Sequence, residues 1–166
     1  MEASIQREGG NDTIFGYLSN DVLVGGEGDD YLDEGEGDDL LSGGPGADIL
    51  IGGAGNDRMY GGNGDDRYYH GANDGVDIIN DDLSPSESTG FGGGSDTIFF
   101  TDINLADLDY IRSEGSDDLW LSSVADLSDG TFDDSVIVED FFLGGNNMIE
   151  TVGTADNYLI DLTQIA

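Results

Sequence analysis

The sequence predicts an all-β protein: a flattened parallel solenoid followed by a smaller β structure. Three observations predict it. Residues 25–69 divide into five consecutive nonapeptides, GGEGDDYLD, EGEGDDLLS, GGPGADILI, GGAGNDRMY and GGNGDDRYY, on the template Gly-Gly-x-Gly-x-Asp-x-apolar-x. A large apolar residue recurs with the same period at Leu32, Leu41, Leu50, Met59 and Tyr68. From residue 96 onward glycine thins out, and aromatic and branched residues increase.

The three-residue pulse around each apolar position is too short for a helix and alternates out-in-out, as a strand does. The glycine-rich residues before it supply positive-φ positions for tight turns. Two such turns and two strands make one coil, so repeat n stacks on repeat n+2 at roughly 4.8 Å. That spacing places Asp30, Asp48 and Asp66 along one edge and Asp39 and Asp57 along the other. Stacked carboxylates repel unless a cation lies between them. Carboxylate and glycine carbonyl oxygens are the ligands of a hard cation, and Ca²⁺ accepts six to eight of them at about 2.3–2.6 Å in flexible geometry. Mg²⁺ demands near-ideal octahedra and holds its water. A single GGxGxD is a weak signal, whereas five in register are strong. A disordered Gly/Asp linker has no phased large apolar residue.

Composition narrows the function. The chain has 37 acidic and 4 basic residues, for a net charge of −33, so nucleic acid and anionic membrane surfaces are poor partners. A chain this acidic and glycine-rich has the composition of a disordered one. Bound divalent cations would remove that obstacle, so folding and calcium binding are expected to be one event. Cysteine is absent, which leaves metal rather than disulfides as the stabiliser of a secreted domain. No hydrophobic run approaches membrane-spanning length. Residues 1–7 do not read as a signal peptide, and the chain reads as a segment of something larger.

Taken in order, residues 1–8 carry no repeat and are expected to be a disordered leader. REGGNDTIF and GYLSNDVLV are decayed repeats that hold the phase at Asp12 and Ile14 and at Asp21 and Leu23. The array therefore has seven repeats, from about Gly9 to Tyr69, within a roll assigned to residues 9–80. Pairing each aspartate with the one two repeats on gives five inter-turn sites. Decay of the first two repeats argues for fewer. Asp77 and Asp96, each in a Gly-x-Asp-x-apolar fragment, either add to the stack or end it. Residues 81–95, with Pro85 and several Ser and Gly, are expected to be a loop. Outward-facing Thr13, Phe15, Tyr31, Ile49, Ile51 and Tyr69 on one sheet, and Val22, Val24, Leu40 and Tyr60 on the other, form either a docking surface or a β-prone face partly covered by the C-terminal half.

Residues 96–166 are expected to cap the open end of the solenoid. Strands are expected at Thr97–Phe100, Tyr110–Arg112, Leu119–Ser122, Ser135–Glu139, Met148–Val152 and Tyr158–Leu162. A helical turn is expected at 105–108. Further turns are expected at 114–116, 128–130 and 143–147. Phe99, Phe100, Leu108, Leu119, Trp120, Leu121, Val136, Ile137, Val138, Phe141, Phe142 and Ile149 are the candidate core.

Residues 7–69 resemble the RTX (haemolysin-type calcium-binding) nonapeptide array. The segments YYHGANDGVDIIND, SDTIFF, LADLDYIRSEGSDDLWL, DSVIVEDFF and NNMIETV resemble the C-terminal flank of the last RTX block in adenylate cyclase toxin-type secreted proteins. The resemblance implies a right-handed parallel β-roll, a calcium-stacked solenoid with a C-terminal mixed β capping structure. It also implies bacterial type I secretion, unfolded and C-terminus first, and calcium-triggered folding outside the cell. By position, the ligating aspartates would be Asp12, Asp21, Asp30, Asp39, Asp48, Asp57 and Asp66. Turn carbonyls would come from around Gly26, Gly28, Gly35, Gly37, Gly44, Gly46, Gly53, Gly55, Gly62 and Gly64. The chain departs from the pattern at Arg7 and Glu8, in its glycine-poor second repeat, and at Glu34. The ending DLTQIA does not read as a secretion signal, so an exported parent is expected to continue beyond it.

The leading expectation is a monomeric, calcium-dependent folding module holding about four to seven Ca²⁺ ions. Its partners would be calcium and, during export, the secretion apparatus. The alternative is a calcium-dependent adhesin gripping sugar or peptide through the C-terminal half, with Trp120, Tyr110 and Tyr158 as platforms. Catalysis is not expected. There is no nucleophile elbow, HExxH or cysteine site, and His70, the sole histidine, reads as a structural or solvated turn residue. A parent protease, lipase, epimerase or toxin would not be visible in this segment.

Overall fold

The computed structural model describes residues 4–81, 93–112, 115–129, 134–139, 141 and 149–164. The expected loop at 81–95, the turn at 143–147 and Phe142 lie wholly or mainly outside the described residues.

Fifteen strands form two sheets. The first sheet contains β1 (Ser4–Gln6), β3 (Val22–Val24), β5 (Leu40–Pro45), β7 (Arg58–Asn63), β9 (Val76–Asn80), β13 (Ser135–Val138), β12 (Leu119–Ser123) and β11 (Leu108–Arg112), in that spatial order. The second runs β15 (Leu159–Asp161), β14 (Ile149–Gly153), β10 (Asp96–Phe100), β8 (Arg67–His70), β6 (Ile49–Ala54), β4 (Tyr31–Glu36) and β2 (Thr13–Leu18). Successive repeats alternate between the sheets, and every pairing from β1 to β10 is parallel. This is a parallel β-roll.

Register follows from the apolar phase. Ile14, Leu32, Leu50, Tyr68, Ile98 and Val152 pair in sequence across the second sheet. Ile5, Leu23, Leu41, Met59, Ile79 and Val138 do so across the first. All but Ile5 are buried, and they form one continuous core between the sheets. A one-residue slip would turn the whole apolar column outward, which fixes the register.

The strands run longer than the expected three-residue pulses. β5 and β7 pair on through Gly44–Gly62 and Pro45–Asn63, because identical turns stacked on each other keep hydrogen bonding even where the backbone bends. Ser4–Gln6, expected to be a disordered leader, pairs with Val22–Val24 as β1, since an open roll edge offers a ready hydrogen-bonding template.

The C-terminal part continues both sheets and then changes sense. β13 adds to β9 in parallel, and β12 and β11 follow antiparallel. β14 adds to β10 in parallel, and β15 closes antiparallel. The structure is therefore a mixed β cap. Its six strands coincide closely with the expected ones. A hydrogen-bonded turn from Asn104 to Leu108 precedes β11.

Two expectations need correction. Ser128 and Asp129, expected in a turn, end a short helix, α1 (Val124–Asp129), and residue 130 lies outside the described residues. The Ser123 hydroxyl accepts from the Asp126 N–H at 3.1 Å, an N-cap signalled in the sequence as Ser-x-x-Asp. Trp120 is half-buried rather than a core residue, as are Phe99 and Ile137. Leu119 and Leu121 take the inward positions of β12, so alternation sends Trp120 to the other face.

Candidate metal centre

The aspartates of the template form two columns. In the first, the backbone N–H of each aspartate donates to Oδ1 of the next coil's aspartate: Asp12 to Asp30 at 2.7 Å, Asp30 to Asp48 at 2.8 Å, Asp48 to Asp66 at 2.8 Å and Asp66 to Asp96 at 2.8 Å. The second runs Asp21 to Asp39 at 2.6 Å, Asp39 to Asp57 at 2.8 Å and Asp57 to Asp77 at 3.1 Å. Asp77 and Asp96 thus both join the stack, despite the two extra residues before Asp77 and the longer segment before Asp96. All of these aspartates are buried except Asp12, at the open end.

The second carboxylate oxygen is the informative one. Oδ2 of Asp30, Asp39, Asp48, Asp57, Asp66 and Asp96 is buried without a hydrogen-bond partner. A buried, unpaired carboxylate is expensive. Burial pushes Asp66 up to about 6, Asp48 and Asp96 up to about 7 and Asp57 up to about 8, with neighbouring carboxylates adding to the rise. The arginine pairs lie elsewhere, Arg58 with Glu139 and Arg112 with Asp117.

Glycine keeps space open along the columns. The ten expected turn glycines from Gly26 to Gly64 all have positive φ. Gly44 shows why the residue type is required. Its φ is +114°, and a Cβ there would collide with the carbonyl oxygen of Gly26 one coil below. The carbonyl of Gly28 lies against Gly46 in the same way.

The first glycine of the template, absent from the expected ligand set, matters as much. Cβ atoms on Gly25, Gly43, Gly52 and Gly61 would fill the space beside Oδ2 of Asp30, Asp48, Asp57 and Asp66 respectively. Orphaned carboxylate oxygens, close carbonyls and cavities reserved by glycine make an oxygen-only donor set suited to Ca²⁺.

At Glu34, Asp81 and His70 a buried side chain stands in that first-glycine slot. Glu34 is 1% exposed with both carboxylate oxygens unpartnered. Burial, with Asp39 and Asp21 nearby, pushes it up to about 8. Asp81 is likewise buried. His70 hydrogen-bonds Asp77 Oδ2 through Nδ1 at 2.8 Å and Asp134 Oδ1 through Nε2 at 3.1 Å. Burial alone would lower its pKa, but the bonds to Asp134 and Asp77 outweigh that and carry it up to about 9. An imidazolium between two carboxylates therefore closes the second column. Val136 pairs opposite Asp77 in the next strand, and no further aspartate follows.

The first column ends differently. The register of β10 and β14 shifts after Asp96, leaving Glu150 as the extra residue. Its Oε2 accepts from the Asp96 N–H at 2.7 Å. A bulge thus lets a glutamate stand in for the next aspartate.

An outer ladder, unforeseen because its template position varies, runs in the opposite sense. The N–H groups of Asp29, Ala47 and Asn56 donate to Oδ1 of Asn11, Asp29 and Asp38. These exposed bonds stitch coils together without reaching the columns.

No curated protein matches the chain. A family model, the RTX calcium-binding nonapeptide repeat (4 copies), matches residues 8–41, 33–68 and 42–77. The matched region covers both aspartate columns as far as Asp77. Residues 8–77 are therefore an array of RTX calcium-binding nonapeptide repeats.

Proposed function

We propose that this chain is a calcium-dependent folding module of a larger secreted protein. Asp12, Asp21, Asp30, Asp39, Asp48, Asp57, Asp66, Asp77 and Asp96 supply carboxylate ligands, and the turn glycines supply carbonyls. The observation that carries the reading is the set of buried, unpartnered Oδ2 atoms along the columns. A fold that isolates these charges needs cations to exist at neutral pH.

The mechanism is linkage. At submicromolar calcium, repulsion within a chain of net charge −33 keeps it open. At millimolar calcium, sites with Kd of about 10⁻⁴–10⁻³ M fill and draw the chain into the roll. An aspartate inside a column borders two intervals, so each filled site prepares its neighbour. The apolar C-terminal part offers a surface on which the first coil forms. Such a switch suits type I secretion, in which an open chain is exported from low calcium and folds outside the cell.

Small-angle scattering tests this reading. The radius of gyration is expected to be about 40 Å in chelator and below about 20 Å at millimolar calcium. A compact chain in chelator would contradict it.

A further inference from the structure

Resting on the cation-binding reading of the columns, we infer that Asp81, a residue outside the nonapeptide template, supplies a third carboxylate to a calcium site with Asp66 and Asp96, where the roll meets its cap.

Asp81 follows β9 in the slot held by the first glycine in Gly25, Gly43, Gly52 and Gly61. That slot faces Oδ2 of the aspartate in the same repeat, as a Cβ on Gly61 meets Oδ2 of Asp66. For the long repeat beginning at Asp81 the corresponding aspartate is Asp96, and Asp66 lies one coil below it. One carboxylate oxygen from each of Asp66, Asp81 and Asp96 lies within 4.8 Å of the others. The three residues are 0%, 1% and 0% exposed.

The free atoms point to a ligand. Tyr68, fully buried, donates its hydroxyl to Asp81 Oδ1 at 3.1 Å. Asp66 and Asp96 use Oδ1 to accept the N–H groups of Asp48 and Asp66. Oδ2 of all three is buried and unpartnered. An acidic patch without a ligand would turn its carboxylates to solvent or to donors. Three carboxylate oxygens gathered this closely suit a hard divalent cation, and Ca²⁺ takes such oxygen ligands in flexible geometry, whereas Mg²⁺ demands a near-ideal octahedron.

An ordinary interval of a column gathers two aspartates, and this one gathers three carboxylates. It should therefore fill at lower calcium than the others. Asp66 immediately precedes β8, Asp81 immediately follows β9 and Asp96 opens β10, so filling the site fixes both the last regular repeat and the first strand of the cap.

A crystal structure of the whole chain grown in calcium tests the site directly. An ion within about 2.6 Å of Asp81 Oδ2 is expected. Ions along the columns with water or a protein donor at Asp81 would overturn this inference alone. No bound calcium anywhere would overturn the folding-module reading with it. Calorimetric titration of D81N gives a second readout. Expected is loss of the tightest class, because Asp66 and Asp96 alone make an ordinary two-aspartate interval, with the remaining affinities kept. An unchanged first-site affinity would overturn the inference. If D81N does not fold, the wild-type crystal decides.

Discussion

The backbone N–H of Asp48 donates to Oδ1 of Asp66 at 2.8 Å, and Oδ2 of Asp66 remains buried without a partner. The same division of labour recurs at Asp30, Asp48 and Asp96 and at Asp39 and Asp57, whereas Asp77 gives its second oxygen to His70. One oxygen satisfies the coil below, and on the calcium reading the other is left for a cation. Each of these aspartates would then be a structural acceptor and a ligand at once, which would tie the hydrogen-bond ladder to the metal.

Position in the column sets the cost of losing an aspartate. Asp48 borders two intervals and accepts the Asp30 N–H, whereas Asp12 sits at the open end. Asp48→Ala removes a ligand from two sites and orphans a buried donor, a cost of about 1–3 kcal/mol for the donor alone. The calcium midpoint of folding should rise about tenfold in Asp48→Ala and less than about threefold in Asp12→Ala. Circular dichroism titrations of the two variants check this, and equal shifts would contradict the stacking.

The cap should depend on Leu121 more than on Trp120. Leu121 is 1% exposed in the continuous core, while Trp120 faces the opposite, half-buried side of β12. At saturating calcium Leu121→Ala should cost about 2–5 kcal/mol. Trp120→Ala should cost less than half as much. Thermal melts of both variants give the comparison, and a greater loss at Trp120 would reverse the assigned faces.

His70 does at the end of the second column what a bound cation would do inside it. Removing it leaves Asp77 and Asp134 facing each other without a cation. His70→Ala should lose about 3–5 kcal/mol at saturating calcium, the cost of breaking a buried pair. Arg58→Ala, which breaks the more exposed Arg58–Glu139 pair, should lose less than about 1 kcal/mol. Denaturant melts measure both, and equal losses would make the His70 bridge incidental.

Acid should partly replace calcium. In chelator the metal-free carboxylates govern stability. Burial raises Asp66 to about 6, Asp48 and Asp96 to about 7 and Asp57 to about 8 in the roll, against about 3.9 in an unfolded chain. The folded state therefore binds more protons over this interval. Its stability is present below the unfolded value and falls as pH rises through 6 to 8. Far-ultraviolet circular dichroism in chelator should show more β structure at pH 5 than at pH 8. An unchanged spectrum would mean that carboxylate repulsion does not hold the chain open.

The roll was legible because its signal is repeated. The nine-residue phase fixes the apolar columns, the aspartate columns and the 18-residue register at once, and a local error in one repeat is corrected by the others. The cap strands were legible from alternation and flanking turns. What escaped was single-copy. Glu150 reaches Asp96 only because a bulge displaces it from β14. Asp134 meets His70 across 64 residues, and no local pattern announces that meeting. Glu34 and Asp81 stand in a slot whose role becomes apparent only when the neighbouring glycines are seen against Oδ2. Trp120 is a candidate core residue in the sequence, but strand alternation with buried Leu119 and Leu121 decides its face.

The most direct test of the calcium switch is far-ultraviolet circular dichroism during a calcium titration, with a matched magnesium titration beside it. A cooperative coil-to-β transition near millimolar calcium, absent with magnesium, is the predicted result. A chain already folded in chelator at neutral pH, or one folded equally by magnesium, would contradict it.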